Sequence, residues 1–160
     1  MRRRWIVPTA VLIAAAGLAA TQAVVASAQR DKITKLECTL ALNAQGAPNP
    51  SGIHLGFATC PKPLGKGVHY SSYTVTPTGP GRGTIAVRFK NYYNLGTTRG
   101  RAAITFTATS PTNITYTGTV ADTSGTGRFK HAKGRGTIVC TTTDGGAHKS
   151  CTVKSRFTGL

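Results

Sequence analysis

Residues 85–108 read "IAVRFKNYYNLGTTRGRAAITFTA". Ile85, Val87 and Phe89 fall on one side of an extended segment, Arg88 and Lys90 on the other. After the turn residues of "NLGTTRG" the pattern resumes, with Ala102, Ile104, Phe106 and Ala108 aligned. Successive side chains of a strand point to opposite faces, so this period-two alternation marks a sheet with one oily and one wet side. A short connection containing Gly96 between the two runs marks a hairpin.

The same pattern extends in both directions. Residues 33–42 place Leu36, Cys38, Leu40 and Leu42 on one face against Lys35, Glu37 and Thr39. Residues 43–52 carry Gly46, Pro48 and Pro50 and read as a loop. A run over 53–60 groups Ile53, Leu55 and Phe57, and another runs from Val68 to Thr76. Beyond Pro111 a strand aligns Ile114, Tyr116 and Val120; the last two carry Ile138 and Cys140, then Cys151, Val153 and Phe157 against Lys154 and Arg156. Helical signals are nearly absent. The expectation is an all-β domain, an antiparallel barrel of about eight strands, with a two-sheet sandwich as the alternative. Closure into a barrel removes exposed edges, and about eight strands enclose room for side chains or one small ligand. Alternation assigns Phe57, Phe89, Phe106, Tyr116 and Phe157 to that lumen as candidate ligand-contacting residues. Small lining residues would leave the lumen open; these aromatics together with Leu40 would fill it.

The N-terminus reads as a leader. Arg2, Arg3 and Arg4 precede an apolar run from Val11 to Ala20 and the triplet Ala26-Ser27-Ala28, an order that predicts a signal peptide over 1–28 and a single mature domain over 29–160. The rival is an uncleaved anchor over residues 6–28, interrupted by Pro8, Gly17 and Gln22. All four cysteines lie in the mature part, and an even count in a secreted chain predicts two disulfides. Asp144-Gly145-Gly146-Ala147 is a turn signal between two Thr-rich runs. Centring a hairpin on Gly145-Gly146 sets Cys140 opposite Cys151, within disulfide reach, and Cys38–Cys60 follows by elimination.

The whole chain carries a formal charge of +16. Removing Arg2, Arg3 and Arg4 leaves 17 Lys and Arg against Asp31, Glu37, Asp122 and Asp144. Arg88, Lys90, Arg128, Lys130, Lys133 and Arg135 form a candidate basic patch, the last four gathered at one rim. Such a field attracts anionic cell-wall or membrane-surface polymers, with salt-sensitive binding. Tyr92 and Tyr93 beside Lys90 offer stacking surface or strand packing, but no motif for specific nucleic-acid binding is present.

Residues 124–136, "SGTGRFKHAKGRG", have neither the P-loop nor the dinucleotide-loop spacing. Structurally, Gly125 and Gly127 suit a tight turn with positive φ, Phe129 can tuck onto the core, and Gly134 and Gly136 would let the next strand bend or bulge. The stretch resembles the GTG-[KR]-[FY]-x-x-A-x-G signature of dirigent proteins and the allene oxide cyclase barrel group. Gly125, Thr126, Gly127, Arg128, Phe129, Ala132 and Gly134 occupy its positions. The chain is also similar to small exported actinobacterial proteins of undefined function that carry this signature. The resemblance implies an eight-stranded barrel with a lumen for a hydrophobic molecule, held in a reactive shape by proximity and orientation.

Catalytic signals are few. His54, His69, His131 and His148 lack metal-ligand spacing, no nucleophile elbow is present, and no carboxylate pair is set close in sequence. Asp122 at a strand end reads as turn chemistry, and only Asn91 and Ser155 fall on apolar faces as polar candidates. The expectation is therefore a secreted, disulfide-stapled barrel without cofactor or metal, binding or shaping a small hydrophobic molecule without catalysis. The alternatives are a basic envelope protein that binds anionic polymers, and an isomerase or cyclase, which would need a polar cluster inside the barrel.

Overall fold

A computed structural model describes residues 32–45 and 50–160. The expected leader, residues 1–28, lies outside the described residues. Eight strands follow in chain order: β1 Thr34–Gln45, β2 Ser51–Thr59, β3 Lys66–Gly79, β4 Arg82–Tyr93, β5 Gly96–Ala108, β6 Ile114–Gly125, β7 Lys133–Thr142 and β8 His148–Thr158. Each pairs with its sequence neighbour, and β8 returns to β1 in an antiparallel ladder, Leu40 opposite Cys151. The sheet is thus a closed barrel rather than a sandwich. Among the described residues no helix is long and apolar enough to cross a membrane.

Both disulfides form as expected, Cys38–Cys60 and Cys140–Cys151. The β7–β8 ladder runs in the register set by the Gly145-Gly146 turn, with Cys140 opposite Cys151. The outer face is rich in threonine. Thr105, Thr107, Thr115, Thr117 and Thr119 are all exposed on β5 and β6, where a β-branched side chain fits the pleat and its hydroxyl meets water. The inner face carries glycines where a neighbour packs too closely for a Cβ. A Cβ on Gly134 would stand 2.5 Å from the Phe157 ring, so that ring lies flat across the glycine opposite it.

Two clusters make up the core. The larger one joins Leu40, Leu42, Tyr73, Ile85, Tyr116, Val120 and Ile138 along the barrel. The other joins Leu36, Cys38, Leu64, Phe129, Ala132 and Phe157 at one end. Phe129, fully buried, sits on a short 3-10 turn, Gly127–Phe129, and meets Tyr93 edge-on at a centroid distance of 5.9 Å. That end is closed.

Several expectations need correction. β1 continues to Gln45, into the segment that reads as a loop. Gly127 has φ 59°, as the turn requires, but Gly125 does not have positive φ; a Cβ there would collide with the Phe129 and Thr97 carbonyls. Around Gly134 and Gly136 β7 keeps unbroken register on both sides, so these glycines serve close packing rather than a bulge. The largest departure is β2. Ile53, Leu55 and Phe57 face outward, Phe57 with 69% of its surface exposed, while His54, Gly56 and Ala58 face the lumen. Phe57 is therefore not a lumen residue. A Cβ on Gly56 would collide with the Ala41 carbonyl, so no side chain fits at that inward position.

Candidate functional site

The lumen is lined by aliphatic and aromatic side chains interrupted by a set of polar ones. Phe89, Tyr116 and Phe157 line it together with Leu40, Ile85 and Ile138, and Phe106 lies toward the mouth with Ile114. They leave a cavity of about 80 Å³. It continues into a mouth of about 150 Å³ bordered by His54, Tyr73, Phe106, Tyr116, Gly146 and Lys149. A water needs about 10–15 Å³ and an apolar cavity near 150 Å³ takes a single ring, so the space suits one small ring or a short chain.

Toward the closed end, four adjacent strands each contribute one polar side chain to an inner row. The register sets His69 of β3 opposite Asn91 of β4, and Asn91 opposite Thr98 of β5. His69 Nδ1–H donates to Asn91 Oδ1 at 2.7 Å, and Asn91 Nδ2 donates to Thr98 Oγ1 at 3.3 Å. Next in the row stands Asp122 of β6, whose carboxyl the Thr98 side chain favours in its charged form. A bulge in the β5–β6 ladder, where Gly100 faces Asp122 and Arg99 faces Ser124, leaves Thr123 unpaired beside Asp122. Bulges of this kind re-aim side chains, and this one accompanies an Asp122 buried in the barrel rather than spent on a turn.

Burial pushes the Asp122 carboxyl up to about 6, against the lowering effect of the Thr98 hydrogen bond. Burial likewise lowers His69, opposed by its bond to Asn91. With Nδ1 donating, a neutral His69 keeps Nε2 as its acceptor. Tyr93 is raised by burial and then by the Asp122 charge. Ser71 and Ser155 add two buried hydroxyl oxygens without a hydrogen-bond partner.

The mouth is different in character. Lys149 Nζ donates to the Gly146 carbonyl at 2.6 Å and to His54 Nε2 at 2.8 Å, and lies 5.4 Å from the Tyr116 ring centre. Burial lowers Lys149 to about 8, with Asp144 pulling the other way. His54 falls to about 3, through burial first and the Lys149 charge second. It is therefore a neutral acceptor, stacked on Tyr73 at 4.4 Å. Burial raises Tyr116 to about 12. Asp144 is held by the Thr142 hydroxyl at 2.6 Å and by the His148 amide and ring, and makes no ion pair with Lys149. The mouth thus presents an ammonium group without a carboxylate partner among the described residues.

Alternation reveals Asn91 and Ser155 but misses His54, His69, Thr98, Asp122 and Lys149. In β2 the oilier face claims the core on paper, which hides His54. Thr98 lies in the segment that reads as a turn, and Asp122 at a strand end. Of the basic residues, Arg88 and Lys90 stand on the outer wall of β4, Arg128 and Lys130 on the 3-10 turn at the closed rim, and Lys133 at the start of β7; Arg135 lies two residues further along the wall. Lys90 Nζ lies 4.5 Å from the Tyr92 ring centre, while Tyr93 turns inward. Among the described residues no group of three His, Cys, Asp or Glu side chains is placed to hold a metal ion.

No family model matches the chain, so the resemblance over residues 124–136 stands on the signature alone. No curated protein matches it either. Among solved structures, a pyocyanin demethylase aligns with a TM-score of 0.43 and 15% identity, over 78% of this chain and 99% of that one. A likeness of this degree carries no argument about chemistry.

Proposed function

We propose that the protein is a secreted barrel that binds one small molecule in its lumen, with a ring or short apolar body inside and an anionic group at the mouth. The observation that carries this is the Lys149 ammonium at the mouth, hydrogen-bonded to His54 and Gly146 but without a carboxylate partner among the described residues, above an apolar cavity with Phe129 and Leu64 packed at its far end. A cation held partly out of water costs stability unless a partner neutralises it. Pockets of this kind, mostly apolar with a few placed polar groups, are the usual form of a small-molecule site. Two disulfides fit an oxidising compartment, which supports the secreted reading.

Benzoate is the test probe, with benzyl alcohol as its uncharged analogue. Titrated against the protein by methyl NMR, benzoate is expected to shift Ile85, Val120 and Ile138 and benzyl alcohol to shift them more weakly. Lys149→Met should bring the two compounds level. Benzoate shifts confined to exterior methyls, or unchanged in Lys149→Met, would defeat the proposal.

A second reading, proton transfer to or from the bound molecule, is supported by Asp122. A carboxyl near 6 at the end of a hydrogen-bonded row facing the same cavity is suited to general acid or base work. A bound molecule whose exchangeable C–H deuterates in the wild type and not in Asp122→Asn would establish it; equal exchange in both would remove it.

A further inference from the structure

The ladders place four arginines and a lysine in one row around the outside of the barrel. Arg88 is opposite Arg101, Arg101 opposite Ala121, Ala121 opposite Arg135, Arg135 opposite Arg156, and Arg156 opposite Lys35. All five cations are exposed. Adjacent strands lie about 4.8 Å apart, so the charges recur at strand spacing with a single gap at Ala121. Like charges placed directly opposite each other destabilise a sheet, and this row contains three such pairs. Solubility alone needs only scattered charge of either sign.

No carboxylate among the described residues forms an ion pair with the row. Among the described residues the ion pairs are His148–Asp144 and Lys154–Glu37, and Asp122 is buried inside the barrel. The neighbouring register row is small from β3 to β7, with Thr74, Ala86, Ala103, Thr119 and Thr137, and ends on β8 and β1 in the Lys154–Glu37 pair. Tall arginines beside small side chains make an open groove along the outer wall, about 1370 Å³, that contains Arg88, Arg101 and Arg135.

We infer that this groove is a binding site for a linear phosphate polymer without bases, such as polyphosphate or a polyol phosphate. The guanidinium fork matches phosphate oxygens two at a time, and a row of forks at regular spacing suits a chain of regularly spaced anions. Strand-binding sites for nucleic acid add aromatic platforms for the bases. Neither of these two rows carries an aromatic ring, so the groove reads charge without stacking. The site is independent of the lumen.

The test is binding of fluorescently labelled polyphosphate to the protein at a series of salt concentrations, with a base-free polyglycerol phosphate and oligo(dT) as competitors. Four arginine contacts, three lining the groove and Arg156 opposite Arg135 in the same row, predict a slope of log K against log salt near −3, at about −0.7 per contact for a flexible strand. The row variant R88Q/R101Q/R135Q/R156Q should lose most of the affinity and of the slope. The control R82Q/R128Q/K130Q/K133Q removes the same charge away from the row and should keep most of both. The row variant should melt no lower than wild type, because it removes opposed like charges, and that melt shows that it has folded. Competition by the polyglycerol phosphate shows that the phosphodiester backbone suffices. Equal losses in both variants would reduce the site to net charge and overturn the inference. Oligo(dT) outcompeting both base-free polymers would overturn it in favour of a nucleic-acid strand.

Discussion

Asp122→Asn should stabilise the protein, by an amount that grows as pH rises from the range of a free carboxyl to that of the native one and is constant above it. The native carboxyl titrates at about 6, against 3.8 for the free side chain. Between those values the folded state holds a proton that the unfolded state has released. Stability therefore falls as pH rises through this window and is lowest, with respect to this group, above pH 6. The difference corresponds to about 3 kcal/mol at 1.36 kcal/mol per pKa unit. Asparagine keeps an oxygen acceptor for the Thr98 hydroxyl while carrying no charge. The variant should match wild type near pH 3.5 and exceed it by up to about 3 kcal/mol at pH 7.5, or about 10 °C in Tm for a domain of this size. Thermal melts followed by circular dichroism at intervals from pH 3.5 to 8 read the difference directly. His54, His69 and Tyr93 titrate in both proteins, so their contributions largely cancel in it. A difference that is constant with pH, or that shrinks as pH rises, would refute a carboxyl held neutral by burial. The proton-transfer proposal rests on this same carboxyl, so the pH series tests its premise as well.

Three further outcomes follow from the packing. Phe129→Ala should cost about 3–5 kcal/mol in urea denaturation, since Phe129 is fully buried and closes one end of the barrel; a loss under 1 kcal/mol would mean that the closed end contributes little. Phe57→Ser should change stability by no more than about 0.5 kcal/mol, as for other exposed positions, and a cost of core size would return Phe57 to the lumen. Replacing Cys140 and Cys151 by serine should cost about 2–3 kcal/mol, because the bond closes a short loop, with sequence separation 11; an unchanged denaturation midpoint would contradict that.

The sequence by itself determined the local geometry. Alternation across Ile85–Phe89 and Ala102–Ala108 specifies strands, and the glycine turn at Gly145-Gly146 specifies the register that brings Cys140 to Cys151. These are short-range consequences of backbone pleat and turn chemistry, so neighbouring residues suffice to read them. Tertiary structure decided which face of β2 is inside. Ile53, Leu55 and Phe57 make the oilier face, yet His54, Gly56 and Ala58 face inward, with Gly56 where the Ala41 carbonyl admits no Cβ, and that contact exists only once β1 pairs with the strand. The polar row of His69, Asn91, Thr98 and Asp122 and the outer row of arginines are likewise products of strand pairing. Each residue comes from a different strand, and only the cross-strand register, with its bulge beside Asp122, sets them side by side. Hydrophobic pattern is a property of one segment, whereas a site in a barrel is a property of the height at which several segments meet.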